Sequence, residues 1–114
     1  MLQEMHIEAL GVIEHLDLVI GRGLTALTGE TGAGKTMLVE AISLLVGGRA
    51  DAAMVRPGAA EARVEGRFVV DDDEYVVARV IPADGRSRAY INGRLATVAN
   101  LAELGRRTLI VVLN

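Results

Sequence analysis

Residues 29–36 have the sequence G-E-T-G-A-G-K-T, which matches the phosphate-binding pattern G-x-x-x-x-G-K-[ST] at every fixed position. Glycine lets the backbone wrap closely around a phosphate, so that successive N–H groups point toward one anion. A helix that begins in such a loop adds its N-terminal N–H groups and its dipole to the attraction. The pattern therefore predicts a loop that binds the phosphates of a nucleotide.

Two side chains of the motif have the chemistry that a nucleotide with a bound metal ion requires. The Lys35 ammonium would contact the β- and γ-phosphates, and the Thr36 hydroxyl would be a ligand of Mg²⁺. Lys35 is also the only lysine among the 12 basic residues of the chain. The predicted nucleotide-binding residues are Gly29, Glu30, Thr31, Gly32, Ala33, Gly34, Lys35, Thr36 and Met37.

A P-loop enzyme that hydrolyses its nucleotide also needs a second acidic group near Mg²⁺ and a group that orients water. Asp71 follows a short apolar run and is the one candidate. Three more acidic residues follow it, so we interpret residues 71–74 as a solvated acidic turn and assign no catalytic residue. A self-contained small P-loop NTPase or kinase that uses Asp71 stays open as an alternative. A nucleotide-independent interaction module with a vestigial loop is a third hypothesis.

Other polar residues give weaker signals. His6 and His15 lie near predicted strands with no acidic cluster at ligand spacing, so we expect surface or hydrogen-bonded roles and no metal site. The densest basic segments, residues 86–88 and 106–107, are most often solvated faces, although a DNA contact is an alternative for the first.

Composition limits the class of protein. The chain has 114 residues, which fit one domain or part of one, and 51% of them are apolar. Aromatic residues make up 3%, which argues against a stacking platform for single-stranded nucleic acid. Cysteine is absent and the net charge is −3, so thiolate metal sites and a strongly basic DNA-binding field are excluded. With no membrane-spanning pattern, we expect a cytoplasmic protein without membrane contact.

The elements that must position the motif follow from periodicity and turn residues. Two alternating strands are predicted before residue 21, and a short apolar strand, residues 24–28, leads into the motif. A helix over residues 35–46 ends at Gly47-Gly48. An antiparallel β region spans about residues 61–97, with a hairpin at Asn92-Gly93. Thr97 would cap a short helix, about residues 98–104, that Gly105 ends, and a final strand spans about residues 108–113.

These residues resemble the N-terminal part of the RecN family, bacterial DNA repair ATPases related to the structural-maintenance-of-chromosomes (SMC) proteins. The resemblance covers nearly the whole chain. It is carried by the segments GLTALTGETGAGKT, LLVGGRADAAMVRPGA, ARVEGRF, DGRSRAYINGR and NLAELG.

The resemblance implies an α/β fold of the P-loop NTPase type. Residues 1–114 would be the N-terminal lobe of an ABC-type ATPase head with an antiparallel β meander. The domain would be incomplete, because the chain has no coiled coil, signature loop or Walker B acid, and a family glutamine expected after the last strand is absent. Arg56 falls roughly where related heads place an arginine that senses DNA or the γ-phosphate.

The resemblance also implies a function, cofactors and partners. The function would be ATP binding in DNA double-strand break repair and recombination, with ATP and Mg²⁺ as cofactors. The partners would be the C-terminal lobe of the same head, a second head that forms a homodimer on ATP binding, and DNA, in a nucleoid-associated protein. This chain alone is expected to bind ATP without hydrolysing it efficiently.

Overall fold

A computed structural model describes residues 2–19 and 32–108 of the chain. The strands are β1 (Leu2–Leu10), β2 (Ile13–Val19), β3 (Glu61–Val70), β4 (Asp73–Pro82), β5 (Arg88–Ile91) and β6 (Arg94–Ala96). The helices are α1 (Gly32–Leu45) and α2 (Val98–Thr108), with a 3₁₀ turn at Ala52–Met54. Neither helix of the described residues has the length and apolar character needed to cross a membrane. The predicted strand over residues 24–28 lies outside the described residues.

The six strands of the described residues form one antiparallel sheet in the order β2-β1-β3-β4-β5-β6. Strand β1 lies between β2 and β3, and Ile7 on β1 faces Val64 on β3 in the register. The first two strands and the later meander are therefore parts of the same sheet. The predicted antiparallel meander is present, and this long-range pairing extends it to the start of the chain.

One face of the sheet packs against the helices. Ile7 and Val64 are fully buried in this core, and Leu44 and Leu45 of α1 are 1% exposed. Removal of these side chains from water is the main force that fixes the helix on the sheet. A Cβ added to Gly66 would lie 2.6 Å from Leu45 Cδ1, so the glycine allows α1 to approach β3 closely.

The turns that the sequence indicates by residue type have the expected local geometry. Asn92 and Gly93 both have positive φ, 52° and 79°, as a two-residue hairpin turn with right-handed strand twist requires. Asn92 Oδ1 also accepts a hydrogen bond from the Val76 N–H at 2.8 Å. The predicted hairpin is confirmed. At the start of α2, Thr97 Oγ1 accepts from the Asn100 N–H at 3.0 Å, and Asn100 Oδ1 accepts from the Thr97 N–H at 3.1 Å.

The expectation that Gly105 ends the second helix is wrong. Helix α2 continues through Gly105 to Thr108, which is therefore helical and not the first residue of a strand. A Cβ at Gly105 would lie 2.6 Å from Val46 Cβ, so this glycine provides the space for α2 to pack against the end of α1. The rest of the predicted final strand lies outside the described residues.

The last residue of α1 is Leu45, and Gly47 and Gly48 terminate the helix, as predicted, through a Schellman motif. The Gly48 N–H donates to Ser43 O at 2.7 Å, and the Gly47 N–H donates to Leu44 O at 3.4 Å. Gly47 has φ +92°, and an added Cβ would lie 2.8 Å from Val98 O at the start of α2. The positive φ and the close approach to α2 both require glycine at this position.

We predict that Gly47→Ala destabilises the protein more than Gly58→Ala does. Gly58 has φ +90° with nothing within 4 Å of an added Cβ, so its substitution strains the backbone without a clash. Overpacking against Val98 O should add about 1–3 kcal/mol to the loss of unfolding free energy at Gly47. Urea unfolding of both variants measures this difference. Equal losses of unfolding free energy would show that α2 moves away from residue 47 without cost.

Candidate nucleotide-binding site

The phosphate-binding motif lies at the start of α1. Gly32, the fourth residue of the motif, is the first residue of the helix, and the helix contains every motif residue from there to Thr36. Residues 29–31 lie outside the described residues, as do the side chains of residues 32–35. The first N–H groups of an α-helix have no acceptor within the helix. The first turn also contains no acidic residue. The backbone at this end is therefore suited to bind an anion.

Thr36 and Met37 are the two predicted site residues whose side chains the structure describes. Thr36 is exposed. Met37 is half-buried and packs against the core cluster. Its Sδ lies 2.8 Å from the position that a Cβ of Gly11 would take, so Met37 contacts the turn between β1 and β2. The Met37 side chain thus positions the start of α1 against the sheet.

Arg56 stabilises this same turn. Its Nη1 donates to Gly11 O at 3.3 Å and to Val12 O at 3.1 Å, while its backbone N–H donates to Ala9 O at 2.8 Å. Within the described part of the chain, these hydrogen bonds of Arg56 go to the β1–β2 region and not to the motif. Arg56 and Met37 of α1 thus contact the same β1–β2 turn, and the turn links Arg56 to the helix.

The opposite end of α1 is held by Arg79, a residue that sequence reasoning missed. Arg79 lies on β4 and is 1% exposed. Its Nη1 donates to Leu44 O at 2.8 Å and to Gly48 O at 2.9 Å, and its Nη2 donates to Ser87 Oγ at 3.1 Å. Burial lowers the pKa of this guanidinium. A cation at a helix C-terminus also interacts favourably with the helix dipole. Arg79 therefore holds the C-terminal end of α1 against strand β4.

Asp71 lies in the turn between β3 and β4. Asp71 and Asp72 both have positive φ, 51° and 69°, and the Asp71 side chain is 83% exposed. Its Oδ2 lies 3.2 Å from Arg107 Nη2 of α2. The interpretation of these acidic residues as a solvated turn is confirmed, and the structure gives Asp71 a surface ion pair with α2.

The two histidines do have acidic neighbours, contrary to the expectation from sequence spacing. The antiparallel register of β1 and β2 places Asp17 opposite His6 and Glu8 opposite His15. His6 Nδ1 is hydrogen-bonded to Asp17 Oδ1, and His6 Nε2 lies 2.9 Å from Glu8 Oε1. The hydrogen bond to Asp17, followed by that to Glu8, raises the pKa of His6. Spacing along one strand could not reveal this cluster, because half of it comes from the next strand.

The fold is similar to one found in a solved structure of SMC ATPases. A solved structure described as "Structural biochemistry of ATP-driven dimerization and DNA stimulated activation of SMC ATPases" aligns with a TM-score of 0.81 and 23% identity. The alignment covers 97% of this chain and 81% of that chain. The α/β, P-loop NTPase fold that the family resemblance implies is thereby confirmed.

Sequence comparison defines the family. The model of the AAA domain matches residues 4–98, and the chain belongs to this family. The DNA repair protein RecN of Streptomyces coelicolor is 47% identical over 117 residues, which cover 88% of this chain and 20% of that protein. RecN of Bacillus subtilis is 43% identical over 123 residues, covering 93% of this chain and 21% of that protein. The predicted resemblance to RecN is confirmed, and the chain spans about one fifth of the length of the curated relatives that it matches.

We predict that Arg79→Met lowers the free energy of unfolding by about 2–3 kcal/mol, because the carbonyls of Leu44 and Gly48 lose a charged donor in a buried site. Arg88→Met is the matched control, since Arg88 lies on the neighbouring strand β5 and is exposed. The control should change the unfolding free energy by less than about 0.5 kcal/mol. Chemical denaturation measures both changes. Equal changes in the two variants would show that Arg79 does not stabilise the end of α1.

Proposed function

We propose that this chain is the ATP-binding lobe of a RecN-like ATPase that acts in DNA double-strand break repair and recombination. The observation that carries the proposal is the start of α1 at Gly32, inside the motif G-E-T-G-A-G-K-T. The 47% identity to a DNA repair protein RecN supports the place in repair.

The proposed cofactors are ATP and Mg²⁺, and the residues present fit both. The backbone N–H groups at the start of α1 would surround the phosphates, and Lys35 would neutralise charge on the β- and γ-phosphates. Thr36 would provide a hydroxyl ligand to Mg²⁺, which prefers oxygen ligands together with water and phosphate. Gly29, Glu30, Thr31, Gly32, Ala33, Gly34 and Met37 would complete the site.

The residues assigned to this site bind and orient the nucleotide, and none of them is a candidate for activating water. The chain alone would therefore bind ATP and release phosphate slowly. The proposed partners are the C-terminal lobe of the same head, a second head that joins as a homodimer with ATP, and DNA. The solved SMC ATPase that shares this fold is described as dimerising with ATP and as stimulated by DNA. The protein would act in the cytoplasm, associated with the nucleoid.

The exposed side of α1 supports the proposal that a C-terminal lobe packs on this helix. Val39 on this helix is 58% exposed, and Ser43, one turn later, is exposed as well. The helix buries Ala41, Leu44 and Leu45 against the sheet and leaves this apolar position on the side away from it. A lobe that packs on this side would remove Val39 from water.

We predict that Lys35→Ala abolishes ATP binding, because the motif loses its ammonium, and leaves the fold intact, because alanine is the residue most favourable to a helix. Isothermal titration with Mg-ATP measures the affinity. Thermal unfolding with and without Mg-ATP gives a second readout, since nucleotide at 100 times Kd should stabilise the wild type by about 2.7 kcal/mol.

The control for Lys35→Ala is Arg49→Ala, which removes an exposed cation just beyond the opposite end of α1. This variant should bind Mg-ATP as the wild type does. Wild-type affinity in Lys35→Ala, or equal losses in both variants, would refute the assignment of the motif.

We predict that Asp71→Asn leaves phosphate release by the chain at its low wild-type level. Asparagine tolerates the positive φ at this turn, and the substitution removes only an exposed ion pair with Arg107. A phosphate-release assay compares the two proteins. Fast turnover in the wild type that is lost in Asp71→Asn would instead favour a self-contained NTPase or kinase.

A further inference from the structure

The outer face of β1 and β2 carries a cluster of two imidazoles and two carboxylates. His6 and Glu8 alternate on β1, and His15 and Asp17 alternate on β2, so all four side chains project from the same face. The register pairs His6 with Asp17 and Glu8 with His15, which places the four residues in a two-by-two block. We call these four residues the histidine–carboxylate cluster.

The ligand atoms of this cluster are close together. One ligand atom from each of His6, Glu8 and His15 lies within 4.8 Å of the other two. The two imidazole rings have centroids 5.0 Å apart and an interplanar angle of 69°. Asp17 contacts both rings. Its Oδ1 is hydrogen-bonded to His6 Nδ1, and its Oδ2 lies 3.5 Å from His15 Nε2.

The charge of the histidine–carboxylate cluster matches a divalent cation. With neutral imidazoles, Glu8 and Asp17 give the four residues a charge of −2. The nearest basic side chains on β3 are engaged elsewhere, because Arg63 pairs with Glu65 at 3.1 Å and Arg67 pairs with Glu4 at 2.8 Å. Neither Arg63 nor Arg67 therefore neutralises the carboxylates of Glu8 and Asp17.

We propose that His6, Glu8 and His15 bind a zinc-class divalent transition-metal ion, with Asp17 as the residue that orients the histidines. Two imidazoles and a carboxylate are a ligand set that zinc uses with an open fourth position. Bond lengths of about 2.0–2.2 Å place tetrahedral ligands about 3.3 Å apart. The ligand atoms of the three residues, which lie within 4.8 Å of one another, would move closer together when the ion binds.

The hydrogen bonds of the cluster assign a role to each nitrogen of His6. Its Nε2 faces the Glu8 carboxylate at 2.9 Å and would bind the metal ion beside it. Its Nδ1–H would donate a hydrogen bond to the Asp17 carboxylate, as the second ring nitrogen of metal-bound histidines commonly does. Binding at Nε2 would displace any proton held there into solution, so the charge balance closes without another reactant.

The full 114-residue chain, without an affinity tag, tests the proposal with Zn²⁺ as the probe. We expect one equivalent to bind with micromolar affinity in isothermal titration, and Co²⁺ to give the intense visible absorption of a four-coordinate ion. His6→Gln and His15→Gln should each weaken Zn²⁺ binding by about 10- to 100-fold or more. The chain has only these two histidines and no cysteine, so no other imidazole or thiolate can replace them.

Glu14→Gln is the matched control, because Glu14 is an exposed carboxylate on β2 whose side chain projects from the opposite face of the sheet to His15 and Asp17. It should bind Zn²⁺ as the wild type does, and excess Mg²⁺ should not displace the ion, since Mg²⁺ prefers oxygen ligands. Absence of Zn²⁺ binding by the folded wild type would overturn the proposal. Unchanged affinity in the histidine variants, or displacement by Mg²⁺, would do the same. If a histidine variant fails to fold, the wild-type Co²⁺ spectrum decides, and the spectrum of the hydrated ion overturns the proposal.

Discussion

The buried contact between Arg79 and the end of α1 is the constraint on which the position of the motif depends. The guanidinium donates to the carbonyls of Leu44 and Gly48, and for Leu44 it adds a charged donor to the 3.4 Å hydrogen bond from the Gly47 N–H. Its Nε has no hydrogen-bond partner among the described residues, so the contact includes one unsatisfied polar group. Burial of a charge is costly, and Arg79 offsets that cost with three hydrogen bonds and the dipole of α1.

A helix that is fixed at one end places its other end by rigid geometry. Helix α1 has 14 residues, which correspond to a length of about 21 Å. Leu44 and Leu45 anchor its C-terminal half in the core, and Met37 contacts the Gly11 turn near its start. These contacts use residues after the motif, and the first N–H groups of a helix have no acceptor within it. This separation would allow one short helix to serve both packing and the proposed phosphate binding.

The sequence predicts the parts of this structure that local chemistry determines. The motif, the glycine end of α1 and the Asn92-Gly93 turn each require particular residue types at adjacent positions. The structure has the end of α1 and the Asn92-Gly93 turn where the sequence predicts them. The role of Gly105 does not follow from local sequence, because a glycine that stops a helix and a glycine that allows close packing are the same residue in the same kind of segment.

The features that the sequence did not predict depend on contacts between distant residues. Pairing of β1 with β3 joins residues about 60 positions apart, for which neither strand carries a local signal. Arg79 lies in an apolar strand, and only the folded arrangement supplies its acceptors on α1. The histidine–carboxylate cluster likewise appears only when the register of β1 and β2 is known.

Backbone amide NMR can show whether the backbone at the start of α1 binds the phosphates of ATP. On titration with Mg-ATP, we expect the largest chemical-shift changes at the amides of residues 32–36. The amides of the acidic turn at residues 71–74 should stay unchanged. Shifts that concentrate at the acidic turn, or no shifts at saturating nucleotide in the folded protein, would contradict this binding.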